Sequence, residues 1–188
     1  HSVDVITSEP LSDLLHEFGY SFLPHIKPYS SCHVLDLISV LFGELKVKSS
    51  FSSEIDIDEA RETVSTYTAM LVNESNVPVT LRIQMDAPVQ SRISCSFSDQ
   101  SLWVLSPIEK LTVFKGMSVS MPTESRAVRE YSPRVKHKWV EDSHYKPGFL
   151  EQMKSFVNRD YSRAAKVKDF AKVLEIIDEI REMSAQNT

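Results

Sequence analysis

Val79-Thr80-Leu81-Arg82-Ile83-Gln84-Met85 alternates apolar and polar side chains without a break. Successive side chains of a strand leave on opposite faces, so a period of two predicts a strand with one face buried and the other wet. Ile93, Cys95 and Phe97 repeat the pattern a few residues later. Ser98-Asp99-Gln100-Ser101 supplies turn chemistry before Leu102-Trp103-Val104-Leu105, and a last strand is expected near Leu111 to Phe114. Working backwards, Leu45 to Phe51 and Ser65 to Val72 read as strands, the second closed by the turn Asn73 to Asn76. The acidic stretch Glu54 to Glu62 between them reads as a solvated excursion. Four or five strands joined by short turns favour an antiparallel meander.

Helices flank this block. Val3 to Thr7 reads as a short strand, Ser8-Glu9-Pro10 as a turn, and Pro10 opens a short helix through Phe18. After a loop holding Pro24 and Pro28, Ser30 or Ser31 can cap a helix with the body His33 to Phe42. Gly43 suits its left-handed C-terminal cap, and its largely apolar circumference predicts a well-buried helix. Beyond the strands, Gly116 to Tyr145 is polar and proline-containing and reads as a long excursion with little regular structure. A helix is expected from about Pro147 to Val157, with Phe149, Met153, Phe156 and Val157 on one face. Asn158 to Asp160 breaks it, and a second helix carries Val167, Phe170, Ala171, Leu174, Ile177 and Ile180 at three- and four-residue spacing. Strands in a block with helices on one face define an α+β two-layer sandwich, here one domain over residues 1–188.

The totals narrow the function classes. With 41% hydrophobic and 25% charged residues, the 188-residue chain has the composition of a globular domain with a full core. A net charge of −5, with the cations scattered, argues against nucleic acid as a partner. No apolar run approaches the roughly 20 residues of a membrane span, so no membrane partner is expected. Cys32 and Cys95 have no metal-ligand spacing to each other or to histidine, so no metal is expected; two free thiols suit a reducing, cytoplasmic setting. The four glycines, Gly19, Gly43, Gly116 and Gly148, cannot build either common glycine-rich phosphate loop.

The segment richest in chemistry is Ser31-Cys32-His33-Val34-Leu35-Asp36. His33 and Asp36 are three apart and therefore neighbours on a helix surface. An imidazole beside a carboxylate is oriented and can serve as a general acid/base. A histidine that only hydrogen-bonds and packs at a helix start has the same spacing, and the spacing does not separate the two. A small hydrolase using His33 with Cys32 or a serine is a further class, but Cys32 and His33 are adjacent and point in different directions, which makes them a poor nucleophile–base pair.

His33 through Glu44 resembles a segment of the glucose–fructose oxidoreductase/inositol dehydrogenase family that reads G-x-H-x-x-D, then apolar residues, then glycine. The order of elements also resembles the family's C-terminal half, and Tyr145 to Phe156 followed by Ala165 to Ile180 resembles its ending. The resemblance implies an open, mostly antiparallel mixed sheet, as in the C-terminal domain of dihydrodipicolinate reductase-like oxidoreductases. It implies an NAD- or NADP-binding Rossmann half ahead of residue 1, absent from this chain, and hydride transfer at a sugar, sugar-nucleotide or polyol hydroxyl. His33 matches the family histidine that contacts the reacting hydroxyl, and Asp36 the aspartate one turn later, expected to support it. Ser31 stands where the family has glycine, and Tyr29 where some members have an acid. The family's glutamate-lysine-proline triplet does not occur.

On this reading the chain binds no cofactor itself and is inactive alone. The alternative is a non-catalytic binding or dimerisation module of the same fold. Tyr29, Lys27 and His25 precede the helix and are candidates to bind substrate from the same cleft. Because a helix pair covers only one sheet face, a homo-oligomer, most simply a dimer, is expected through the open face. Arg126, Arg129, Arg134, Lys136 and Lys138 form a locally basic stretch that reads as solvated loop or as a phosphate contact. His16, His137 and His144 read as surface residues.

Overall fold

The computed structural model describes residues 1–20, 29–57, 62–88, 91–141, 148–162, 164 and 166–187. Within them lie strands β1 (Ser2–Glu9), β2 (Leu45–Ile57), β3 (Glu62–Asn73), β4 (Pro78–Met85), β5 (Ser91–Ser96), β6 (Ser101–Leu105), β7 (Lys110–Ser120) and β8 (Glu130–Val140). The helices are α1 (Leu11–Phe18), α2 (Tyr29–Phe42), α3 (Phe149–Asn158) and α4 (Val167–Gln186). The strands form a single open sheet in the order β2-β3-β4-β1-β5-β6-β7-β8. Every neighbouring pair is antiparallel except β1 and β4, which run parallel with Val5 opposite Leu81. The α+β sandwich on a mixed, mostly antiparallel sheet is therefore the observed architecture.

The core lies between the sheet centre and helices α2 and α4. Val3 and Val5 of β1, Ala69 and Leu71 of β3, Val79, Leu81 and Ile83 of β4, and Ile93 and Cys95 of β5 all face this layer. Val34, Leu35 and Ile38 of α2 and Val173, Ile176, Ile177 and Ile180 of α4 close it from the other side. The intervening strand residues face away: Phe51 and Met70 are exposed, and Asp4 and Arg82 form an ion pair at 3.6 Å. The predicted alternation at Val79 to Met85 is thus the difference between a helix-covered face and an open one.

Four expectations need correction. The acidic stretch is not an excursion throughout, because β2 runs to Ile57 and β3 begins at Glu62, with Ile55 opposite Val64. Gly116 to Tyr145 is largely strand: β7 continues to Ser120 and β8 pairs with it. Every residue of β8 is exposed, so neither face carries the apolar alternation that signals a strand. Pro133 fits there because β8 is an edge strand, free of a second partner. In α4 the buried stripe is Val173, Ile176, Ile177, Ile180 and Ser184, whereas Val167 and Phe170 are exposed. Finally, α2 is buried on one side only, with Val40 and Leu41 exposed, and α3 has no buried residue.

Candidate active site

Parallel pairing of β1 and β4 brings their C-terminal ends together, and the chain stitches them with short polar contacts. The Asp86 N–H donates to the Glu9 carbonyl at 2.9 Å. The Ala87 N–H donates to Ser8 Oγ at 2.8 Å. Asp86, in a left-handed conformation at φ 48, turns its carboxylate onto the start of α1, where it accepts the Ser12 N–H at 3.0 Å and the Ser12 hydroxyl at 2.6 Å. An anion at that end satisfies a free helix N–H and opposes the dipole favourably.

The start of α2 is held in a related way from inside the fold. Glu9, 1% exposed, accepts both the Ser31 N–H (2.8 Å) and the Ser31 hydroxyl (2.6 Å) on Oε1. Ser31 is itself fully buried and lies in the first turn of α2. The expected serine cap is thus inverted: the serine donates to a buried carboxylate reaching up from β1. Two residues beyond, His33 emerges exposed.

Between these stitched ends opens a cleft of about 940 Å³. Ser8, Asp86 and Ser91 line it from the sheet side, Ser12 from α1, His33 from α2, and Glu109 from the turn into β7. Phe149, the first residue of α3, lines it as well. The walls combine hydroxyls, carboxylates and an accessible imidazole, a set able to bind a polyhydroxylated molecule and exchange a proton with it.

Asp36 does not share this cleft. It lines a second groove of about 670 Å³ with Ser39, Lys166 and Lys172. Three residues turn a helix about 60° short of a full circle, and on α2 that divergence falls across the boundary between the two clefts. No hydrogen bond or ion pair joins His33 to Asp36 among the described residues. The Asp36 charge is felt instead at Cys32, whose thiol is pushed up by burial, then by the Glu9 and Asp36 carboxylates. A buried, protonated thiol is a poor nucleophile, which counts against Cys32 in that role. Tyr29 is the first residue of α2, four positions ahead of His33; Lys27 and His25 lie outside the described residues.

Glu9, Ser12, Asp86 and Glu109 escaped the sequence reading. Glu9 sits at a buried phase of β1, where alternation predicts an apolar side chain, and Ser8-Glu9-Pro10 reads locally as a turn. The basic stretch falls in the turn before β8 and along it, away from the cleft; Arg126 pairs with Glu130, and Arg134 donates to the Met117 carbonyl at 3.2 Å. His16 and His137 are exposed, and His144 lies outside the described residues.

The described residues supply no glycine-rich phosphate loop. Each glycine ends a helix, precedes one or lies within β7, and a side chain added at any of the four would meet nothing within 4 Å.

No family model matches the chain, and no curated protein sequence matches it significantly. Solved structures do match, among them proteins described as oxidoreductases and dehydrogenases. One is an oxidoreductase from Agrobacterium radiobacter in complex with NAD+, L-tartaric acid and magnesium, at TM-score 0.59 and 11% identity over 99% of this chain and 55% of that one. A 3-ketoreductase from Actinomadura kijaniata with NADP and TDP-benzene matches at TM-score 0.56 and 13% identity, over 97% and 53%. A UDP-N-acetylglucosamine 3-dehydrogenase from Acidithiobacillus ferrooxidans matches at TM-score 0.54 and 9% identity, over 98% and 52%. The chain has the fold of one half of such enzymes and spans about half the length of the structures it matches. Among the described residues, no helix is long and apolar enough to cross a membrane.

Proposed function

We propose that this chain is the substrate-side half of an NAD(P)-dependent oxidoreductase acting on a hydroxyl of a sugar, sugar nucleotide or polyol. The observation that carries the reading is His33, exposed at the start of α2 and facing the cleft where β1 and β4 end. The hydride would leave the substrate carbon for a nicotinamide held by a nucleotide-binding half of the parent protein. This chain's share is to hold the substrate and manage its proton. His33 would take the proton of the reacting hydroxyl during oxidation and return it during reduction. The seryl hydroxyls and carboxylates of the cleft would hold the remaining hydroxyls, with Tyr29, Lys27 and His25 as further candidates. Asp36, on the neighbouring groove, would act on α2 and its charge balance. The parent would be a homo-oligomer, most simply a dimer, joined through the open sheet face.

The test is the parent gene and its protein. A nucleotide-binding half should precede residue 1, and His33→Ala should slow hydride transfer while leaving dinucleotide affinity nearly unchanged. Equal loss of both would assign His33 to folding. A parent with no nucleotide-binding half would leave a binding or dimerisation module.

A further inference from the structure

Glu9 is a carboxylate sealed inside the fold, and the proton transfer proposed for His33 leaves it unused. Its Oε1 accepts the Ser31 N–H at 2.8 Å and the Ser31 hydroxyl at 2.6 Å. Its backbone carbonyl accepts the Asp86 N–H at 2.9 Å, and the hydroxyl of Ser8 beside it accepts the Ala87 N–H at 2.8 Å. The carbonyl thus fastens the cleft wall that carries Asp86, and the carboxylate fastens the wall that carries His33. On the reading of His33 as the acid/base, we infer that Glu9 is a positioning residue, which through Ser31 fixes where His33 stands against the Asp86 side of the cleft.

Three observations favour positioning over stability alone. The body of α2 is already fastened by Val34, Leu35 and Ile38, all buried in the core. The turn that Glu9 holds is the one from which His33 emerges. Second, a charge taken out of water is a costly fastener, and apolar groups of the same shape often stabilise a fold as well. What a carboxylate with charge-assisted hydrogen bonds adds is one fixed geometry. Third, among the described residues no side chain bonds the His33 ring, and Asp36 lines the other groove. The imidazole therefore takes its place from the helix start that bears it. Ser31 stands where the resembled segment has glycine, and the hydroxyl it adds is the one Glu9 receives. Proton transfer needs hydrogen-bond reach, and a misplacement of about 1 Å can cost about 100-fold in rate.

The experiment is a pair of double-variant cycles on single-turnover hydride transfer in the parent protein. The substrate is whichever of glucose, myo-inositol and UDP-N-acetylglucosamine the parent oxidises fastest with NAD+ or NADP+. With His33 present, Glu9→Gln and Ser31→Ala should each slow the transfer about ten-fold, with KM and dinucleotide affinity nearly unchanged. In a His33→Ala background the same substitutions should change the rate by less than about two-fold, because the group they position is gone. Where either variant lowers the folded fraction, Ser31→Gly carries the same test, since it keeps the N–H donor and removes only the hydroxyl. Equal slowing with and without His33 assigns Glu9 to folding and overturns the inference while the proposed function stands. Full speed in both Glu9→Gln and Ser31→Ala overturns it as well. A His33→Ala protein as fast as wild type, or a parent that oxidises none of the three substrates, removes the function and the inference together.

Discussion

Glu9→Ala should weaken the fold far more than its position at a strand end suggests. The wild-type carboxylate is buried and accepts two hydrogen bonds from Ser31, itself buried at the first turn of α2. Truncation leaves an N–H and an O–H without that acceptor. An unsatisfied buried donor costs about 1–3 kcal/mol; the hydroxyl can rotate, so the N–H dominates. Loss of the charge at the helix start adds about 0.3–1 kcal/mol, and the cavity adds more, giving about 3–4 kcal/mol in all. Glu9→Gln keeps the volume and an acceptor oxygen but removes the charge. Charge-assisted hydrogen bonds are roughly twice as strong as neutral ones, so this variant should lose about 1–2 kcal/mol. Urea denaturation with an unchanged slope is the measurement. For a domain of this size each kcal/mol corresponds to about 2–4 °C in melting temperature. If both variants lie within about 0.5 kcal/mol of wild type, the carboxylate does not hold α2 and the argument fails.

Three further outcomes follow from the same geometry. Burial pushes the Cys95 thiol up to about 11 from 9.0, so the unfolded chain ionises first as pH rises. Its contribution to stability should be present below pH 9 and be lost towards pH 11, and Cys95→Ala should flatten that part of a stability–pH profile measured by chemical denaturation. Ile38→Ala, at a fully buried position between α2 and the sheet, should cost about 2–5 kcal/mol by urea titration; a smaller loss means that the layer closes over the gap. Phe51→Asp with Met70→Lys, both on the open sheet face, should lower the association state seen by sedimentation and leave the melting of the monomer almost unchanged. A wild-type protein that stays monomeric at high concentration would count against oligomerisation through that face.

Legibility in the sequence tracked the contrast between buried and wet faces. Val79 to Met85 is readable because α2 and α4 cover one side of it and water the other. β8 is unreadable because Tyr131, Val135 and Trp139 are exposed among charged neighbours, leaving no contrast to detect. His33 could be located because its surrounding pattern resembles a known segment. Glu9 could not, since its role depends on Ser31 arriving from another element, and a single strand carries no sign of that. The separation of His33 from Asp36 illustrates the same limit. Spacing places two side chains near one another on a helix, but the packing around that helix decides which hollow each one enters.

The position of β1 bears on how this chain comes to be built. It precedes the other seven strands in sequence and ends up between β4 and β5, where it is the seam joining a three-stranded block to a four-stranded one. Its neighbours are synthesised some seventy or more residues later, with Val3 meeting Val79 and Cys95. The ribosome must therefore continue from Val3 to Cys95 before the centre of the sheet can close. Until then β1, with Val3, Val5 and Ile6, waits for its neighbouring strands, a high-contact-order arrangement that slows folding and leaves sticky edges in the meantime. Deleting β1 would remove the seam rather than a loose end.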